Sequence, residues 1–227
     1  QPTVAYQPLN IVQKPSYLTI NGNGHELIAV TAIAGENGQR QTKLNFQQQS
    51  SDYYQVTFKP TILGEHQLVF DFADGTQDEV VLNVMTPLNE VIDQRVKYIS
   101  EQLYQGSDGE VPYAFTPISN QGESLGKLSL VLKKNLMCDL DPQQVQQVEV
   151  SAVNYVRPKW FNNGDFRKPN NLYGDFYRCM DFEYIAHLFL LLSEFDDDTL
   201  VLHSSEEYLQ WAADVFMLRV NPDMHET

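Results

Sequence analysis

From Tyr17 to about Val84 the hydrophobic pattern is that of strands. Tyr54, Val56 and Phe58 alternate with polar neighbours, as do Leu68, Phe70 and Phe72, and then Val80, Leu82 and Val84. Side chains of a strand point alternately to its two faces, so this period predicts strands with one buried and one wet face. Turn residues fall between them: Asn21-Gly22-Asn23-Gly24 before the apolar segment Leu27 to Ile33, Gly35 to Gly38 after it, and Asp74-Gly75 between the last two strands. Short strands at this spacing predict an antiparallel β-sandwich over residues 1–85. Tyr53 and Tyr54, being adjacent, must face opposite ways.

At Thr86-Pro87 the period changes. Leu88, Val91, Ile92, Val96, Ile99 and Leu103 fall at spacings of three and four, predicting an amphipathic helix opened by a proline in its first turn. Gly106 to Pro117 interrupts it. Leu125, Leu128, Val131 and Leu132 predict a second helix, and Asp141-Pro142-Gln143-Gln144 starts a third, which runs to about Tyr155. After a long loop, Phe182 to Phe195 carries apolar residues on nearly every side and is expected to be buried all round. Asp196 to Asp198 lies just past its end as a solvated run, and Ser204 with Glu207 forms a capping box for a last helix, Glu206 to Leu218. Residues 86–227 are thus expected to form an α-helical hairpin domain. Five helices with one apolar all round need a further cover: more helices of the same chain, which is expected to continue past Thr227, or a homo-oligomeric mate.

Charge removes several partners. The 227 residues carry 30 acidic and 15 basic side chains, a formal net charge of -15, which repels phosphate backbones, so nucleic acid is excluded as a partner. No apolar run reaches the roughly 18–20 residues a bilayer crossing needs, so membrane insertion is not expected. The N-terminus has no basic stretch leading into an apolar one, so any export signal has been removed or was never there. Cys138 and Cys179 read as two unpaired small hydrophobes. His25, His66, His187, His203 and His225 are scattered, and no dinucleotide, P-loop or metal spacing occurs, so neither cofactor nor metal is expected.

The candidate chemistry is concentrated in Trp160 to Tyr184, where aromatics, amides, arginines and carboxylates are interleaved with Gly164, Pro169 and Gly174. A pyranose has an apolar face and a rim of hydroxyls, so it is held by flat rings and planar hydrogen-bonding groups. Trp160, Asn163, Arg167, Tyr173, Tyr177 and Arg178 are the candidate substrate-binding residues. The competing reading makes the aromatics anchors and the asparagines turn formers, and under both readings Phe176 and Phe182 belong to the core. Glycoside hydrolysis needs two carboxyl groups across the scissile bond, and Asp165, Asp175, Asp181 and Glu183 are available. Asp181 and Glu183, two positions apart at a helix start, point in different directions. Asp175 and Asp181 are therefore the catalytic candidates, with a second carboxylate expected beyond Thr227. The alternative for Asp181 is that it caps its helix or pairs with Arg178.

The phrase Lys59-Pro60-Thr61-Ile62-Leu63-Gly64-Glu65-His66 resembles the late strands of bacterial immunoglobulin-like modules, without a Cys…Trp…Cys signature. With the Thr-Pro helix, the Leu130 to Asn135 and Asp139 to Gln144 phrases, and Tyr-Gly-Asp-Phe-Tyr-Arg-Cys-Met-Asp-Phe-Glu-Tyr at 173–184, the chain resembles a bacterial carbohydrate-processing family related to six-hairpin glycosidases. The resemblance covers roughly residues 60–218. It implies an α+β multidomain protein, an immunoglobulin-like β-sandwich followed by the α-hairpins of a partial (α/α) toroid. It further implies a secreted, periplasmic or cell-surface bacterial glycoside hydrolase with its active site at the toroid mouth, and the acidic net charge points its substrate towards a neutral polysaccharide. The alternative is a non-catalytic surface or carbohydrate-binding module. Convergence of the four carboxylates favours the enzyme; their dispersal favours the module.

Overall fold

The structure, a computed structural model, describes residues 1–221, so His225 lies outside the described residues. The chain falls into two compact units, the first Gln1–Val91 and the second beginning at Ile92.

Nine strands build the first unit: β1 (Thr3–Ala5), β2 (Leu9–Ile11), β3 (Ser16–Asn21), β4 (Leu27–Ala34), β5 (Arg40–Lys43), β6 (Phe46–Gln48), β7 (Tyr53–Phe58), β8 (Gly64–Phe72) and β9 (Gln77–Met85). They form two sheets, ordered β1-β3-β7-β6 and β2-β9-β8-β4-β5. Leu18, Ile20, Tyr54, Val56 and Phe58 from the first meet Leu27, Val30, Leu68, Phe70, Phe72, Leu82 and Val84 from the second in one apolar cluster. The alternation in β7 and β8 sets the register, because a slip of one residue would turn every ring to solvent. Ile20 lies opposite Tyr54 and Leu18 opposite Val56. Tyr53 faces out and Tyr54 in, as adjacency requires.

Four strands escape the periodic reading, among them β5, exposed along its whole length, and the three-residue β6. β1 and β2 precede Tyr17 and are three residues each, too short to show a period. β2 pairs with β9 in parallel, Leu9 opposite Asn83, so its sheet is mixed and the purely antiparallel expectation is corrected. Between β8 and β9 the Asp74 carboxylate accepts the Thr76 N–H at 2.9 Å and meets His25 Nδ1 at 2.6 Å.

The helices are α1 (Leu88–Tyr98), α2 (Gly126–Met137), α3 (Pro142–Ser151), α4 (Arg157–Trp160), α5 (Cys179–Leu192) and α6 (Ser205–Val220). Burial in α1 starts only at Val96, while Leu88 and Val91, expected on its apolar face, are exposed. α2 and α3 are joined by a polar clamp made from the two phrases noted above. Asn135 Nδ2 donates to Gln144 Oε1 at 2.9 Å, Asn135 Oδ1 accepts the Asp141 N–H at 2.7 Å, and buried Lys134 donates to the Asp139 carbonyl at 3.0 Å. Asp141 caps α3 through the Gln143 N–H, whereas Gln144 ties the two helices together instead of completing a capping box.

The third predicted helix does not stop at Tyr155. A wide π-type turn, Ala152–Val156, links α3 to α4, so the helical path continues to Trp160. Pro158 has no N–H to give to the turn before it, and a widened turn is a usual way to absorb that loss. Val145, Val148, Ala152, Val156 and Trp160 then make one buried stripe at spacings of three and four.

α5 is the helical centre, but it is not buried all round: Met180 and Leu190 are exposed. Together with α6 it borders an apolar groove of about 350 Å³ lined by Ala186, His187, Leu190, Leu209, Ala213 and Phe216 among others. Ser204 and Glu207 form the expected capping box on α6. Asp197 is more than a solvated end, since it accepts the Ser205 N–H at 2.6 Å and so helps to start α6. Glu149, wholly buried on α3, accepts from the backbone N–H groups of Val201, Leu202 and His203 at 2.7, 2.9 and 3.2 Å and from the Tyr208 hydroxyl at 2.5 Å. A carboxylate with that many donors is held by hydrogen bonds rather than by a counter-ion. Cys138 and Cys179 are free but exposed, which corrects their reading as hydrophobes. No described helix is long and apolar enough to cross a membrane, and among the described residues no cluster of three or more ligands could hold a metal.

Candidate functional site

The segment after α4 divides into two parts with different surroundings. The first, residues 161–170, curls back on α4 through a bridge between Phe161 and Pro169, with Asn162 N–H donating to the Lys168 carbonyl at 2.8 Å. Asn163 sits in the left-handed region at φ 53°, a conformation asparagine tolerates better than most residues. This curl forms one wall of a groove of about 490 Å³ lined by Arg157, Asn163, Gly164, Asp165, Phe166 and Arg167, with Asp214 and Leu218 of α6 opposite.

Arg157 organises the groove. Its guanidinium carbon lies 4.5 Å from the Phe166 ring centre and 4.2 Å from that of Trp211, and its Nε donates to the Gly164 carbonyl at 2.8 Å. Two rings and one carbonyl leave the group little freedom to move. Burial pulls its pKa down, and the charges of Asp165 and Asp214 push it back up. Asp165 is itself held below the usual carboxylate range by hydrogen bonds from the Arg167 side chain and N–H. The two arginines and two aspartates in the groove sum to zero in a chain of net charge -15.

The second part, residues 171–178, is pinned by Asp181. That carboxylate is 1% exposed; it accepts the Gly122 N–H at 2.9 Å and lies 2.9 Å from the Tyr173 hydroxyl and 3.8 Å from Arg178 Nε. A Cβ on Gly122 would come within 2.8 Å of the Asp181 Cα, so only glycine allows this approach. The Tyr173 hydroxyl is also 2.8 Å from the Asn120 carbonyl, and Arg178 pairs with Glu123 at 2.8 Å. Burial first, then the neighbouring Asp181, raises the Tyr173 pKa, while the Glu123 hydrogen bond raises that of Arg178.

Of the residues picked from the sequence, Asn163 and Arg167 line the groove. Trp160 does not: at 2% exposure, as the last position of a buried helical stripe, it has no face for a sugar, and its assignment as a substrate-binding residue is corrected. Tyr177 is half-buried against Phe182, while Tyr173 and Arg178 belong to the Asp181 network. Asp175 is exposed in a turn, Asp165 is paired with Arg167, and Glu183 meets Arg219 at 3.3 Å. The four carboxylates are dispersed or paired, and Asp181 is a buried post rather than an accessible acid or base. Phe176, expected in the core, is instead 54% exposed. Arg157 and Asp214 were missed: Arg157 lies before the loop, in what reads as helix, and Asp214 sits on the polar face of α6.

No protein-family model matches the chain, and no curated protein matches it by sequence. Among solved structures, a polysaccharide lyase superposes on 96% of this chain with a TM-score of 0.71 at 15% identity. The match takes in 34% of that structure's chain, so this chain spans about a third of its length. The Lin-41 filamin domain (38% of this chain and 93% of the other, 9% identity, TM-score 0.32) is too distant to define a shared fold. So is a Cellulomonas fimi endo-beta-1,4-mannanase double mutant (37% and 18%, 15% identity, TM-score 0.26). The lyase superposition establishes a fold that recurs inside a longer chain.

Proposed function

We propose that this chain is the glycan-recognition part of an exported bacterial polysaccharide-processing protein, an immunoglobulin-like sandwich followed by the first hairpins of an (α/α) toroid. The observation that carries the proposal is the groove between the 161–170 curl and α6. It joins a planar amide, Asn163, with a fixed guanidinium, Arg157, and its charges cancel, which suits the hydroxyl rim of a neutral polysaccharide. The likeness in fold to a polysaccharide lyase supports the substrate class. The dispersal of Asp165, Asp175, Asp181 and Glu183 supports binding over bond cleavage by this segment. Affinity electrophoresis of the protein in gels containing hydroxyethylcellulose, galactomannan or laminarin tests it: retardation by at least one of these supports the proposal, and unaltered migration in all three overturns it.

A second reading rests on the two carboxylates that share the groove, Asp165 and Asp214. Glycoside hydrolysis needs such a pair, one ionised and one carrying a proton. Release of reducing ends from the retained polysaccharide, lost in both Asp165→Asn and Asp214→Asn, would favour hydrolysis; retention without release favours recognition alone.

A further inference from the structure

The turn Tyr173-Gly174-Asp175-Phe176 presents a ring to solvent on a base that cannot shift easily. Tyr173 N–H donates to the Phe176 carbonyl at 3.2 Å, and Gly174 at φ 86° makes the reversal that a side chain would strain. The Phe176 ring is stacked on Tyr173, with ring centres 5.5 Å apart and planes 19° from parallel. Beneath it, the Tyr173 hydroxyl is held at Asp181 and Asn120, and the Arg178 guanidinium lies 5.4 Å from the Tyr173 ring centre. Of the groups that hold Tyr173, Asp181 is 1% exposed, and Arg178 is itself paired with Glu123 at 2.8 Å. Phe176 nevertheless remains 54% exposed, and Asp175, next to it in the turn, is exposed too.

A single exposed ring is common on a protein surface, but a ring held flat on a fixed base loses little entropy when something stacks on it. We infer that Phe176, backed by Tyr173, is a stacking platform for the apolar face of a pyranose, with the Asp175 carboxylate accepting from that sugar's hydroxyls. None of these residues lines the Arg157 groove, so the platform is a second subsite. The inference deepens the polysaccharide-binding reading and rests on it. Asp175 thereby takes a binding role in place of a catalytic one, and Phe176 a surface role in place of a core one.

The test is isothermal titration of the full chain with cellohexaose, mannohexaose and laminarihexaose, using Phe176→Ala, Phe176→Trp, Asp175→Asn and, as a groove control, Asn163→Gly. For the hexasaccharide that binds the unmodified protein, Phe176→Ala is expected to weaken affinity about tenfold or more, and Phe176→Trp to restore or exceed it. Asp175→Asn is expected to weaken it about threefold to tenfold. The thermal midpoint of Phe176→Ala should stay close to that of the unmodified protein, since an exposed ring carries little of the stability. Undiminished affinity in Phe176→Ala alongside weakened affinity in Asn163→Gly overturns the platform and leaves the groove reading standing. Binding of none of the three sugars overturns both.

Discussion

Asp181 separates a structural from a catalytic reading of the loop, and its geometry gives numbers to work with. Replacing it by alanine removes the acceptor for the Gly122 N–H and for Tyr173, and leaves Arg178 with Glu123 and the Tyr173 hydroxyl. Hydrogen bonds to a charged group contribute about 1.5–3 kcal/mol each, so Asp181→Ala should cost about 3–5 kcal/mol. Asp181→Asn should cost about 1–2 kcal/mol. The Tyr173 hydroxyl has one proton and two acceptors, so it can turn that proton to Asn120 and accept from the introduced amide, while the amide oxygen keeps Gly122. Both tryptophans, Trp160 and Trp211, lie in the second unit, so thermal unfolding followed by tryptophan emission reads that unit alone. For a unit of this size, about 0.3 kcal/mol corresponds to one degree, so Asp181→Ala should lower the midpoint by roughly 10–20 °C and Asp181→Asn by roughly 5 °C. A shift under about 3 °C for the alanine variant would refute the post. So would an asparagine variant that folds normally and still binds glycan yet loses cleavage entirely, because that outcome makes Asp181 a reacting group.

Two further outcomes follow from the packing. Glu149→Gln places an amide N–H among four donors aimed at a buried carboxylate, and should destabilise the second unit by about 2–4 kcal/mol, read by the same emission. In the first unit, hydrogen bonds from Thr76 and then His25 lower the Asp74 pKa from 3.8 to about 2. A carboxyl depressed on folding stabilises above its unfolded pKa, so the contribution is whole above about pH 4 and fades as pH falls towards 2. Protection of the β8–β9 turn amides from exchange, taken relative to the unstructured rate at each pH, should fall across that window, and in Asp74→Asn the fall should be absent.

What the sequence made legible follows from how repetitive the signal is. The alternation in β7, β8 and β9 fixed which rings meet in the first unit, since period-two patterns over six to nine residues have few other readings. Three-residue strands offer no such pattern, and a parallel edge pairing such as β2 with β9 depends on a partner more than seventy positions away. Trp160 and Phe176 exchanged their expected roles for one reason each. The third helix reads as ending near Tyr155, but the widened turn Ala152–Val156 carries the helical stripe on to Trp160. Phe176 sits in an aromatic-rich phrase that reads as core, but Gly174 reverses the chain and leaves the ring outside, on Tyr173. The groove was half legible: Asn163 and Arg167 stood out by residue type, whereas Arg157 and Asp214 enter it only when α4 and α6 are brought together.

The proposal that the groove receives a neutral saccharide is tested most directly by equilibrium binding of the retaining polysaccharide to the unmodified chain and to Asn163→Gly. Glycine keeps the left-handed backbone at that position and removes only the amide. The account predicts affinity weakened about threefold to tenfold with the thermal midpoint unchanged, and a change in tryptophan emission on saturation, because Trp211 packs on the groove's Arg157. Equal affinity in the two proteins, with emission unmoved by the polysaccharide, would contradict it.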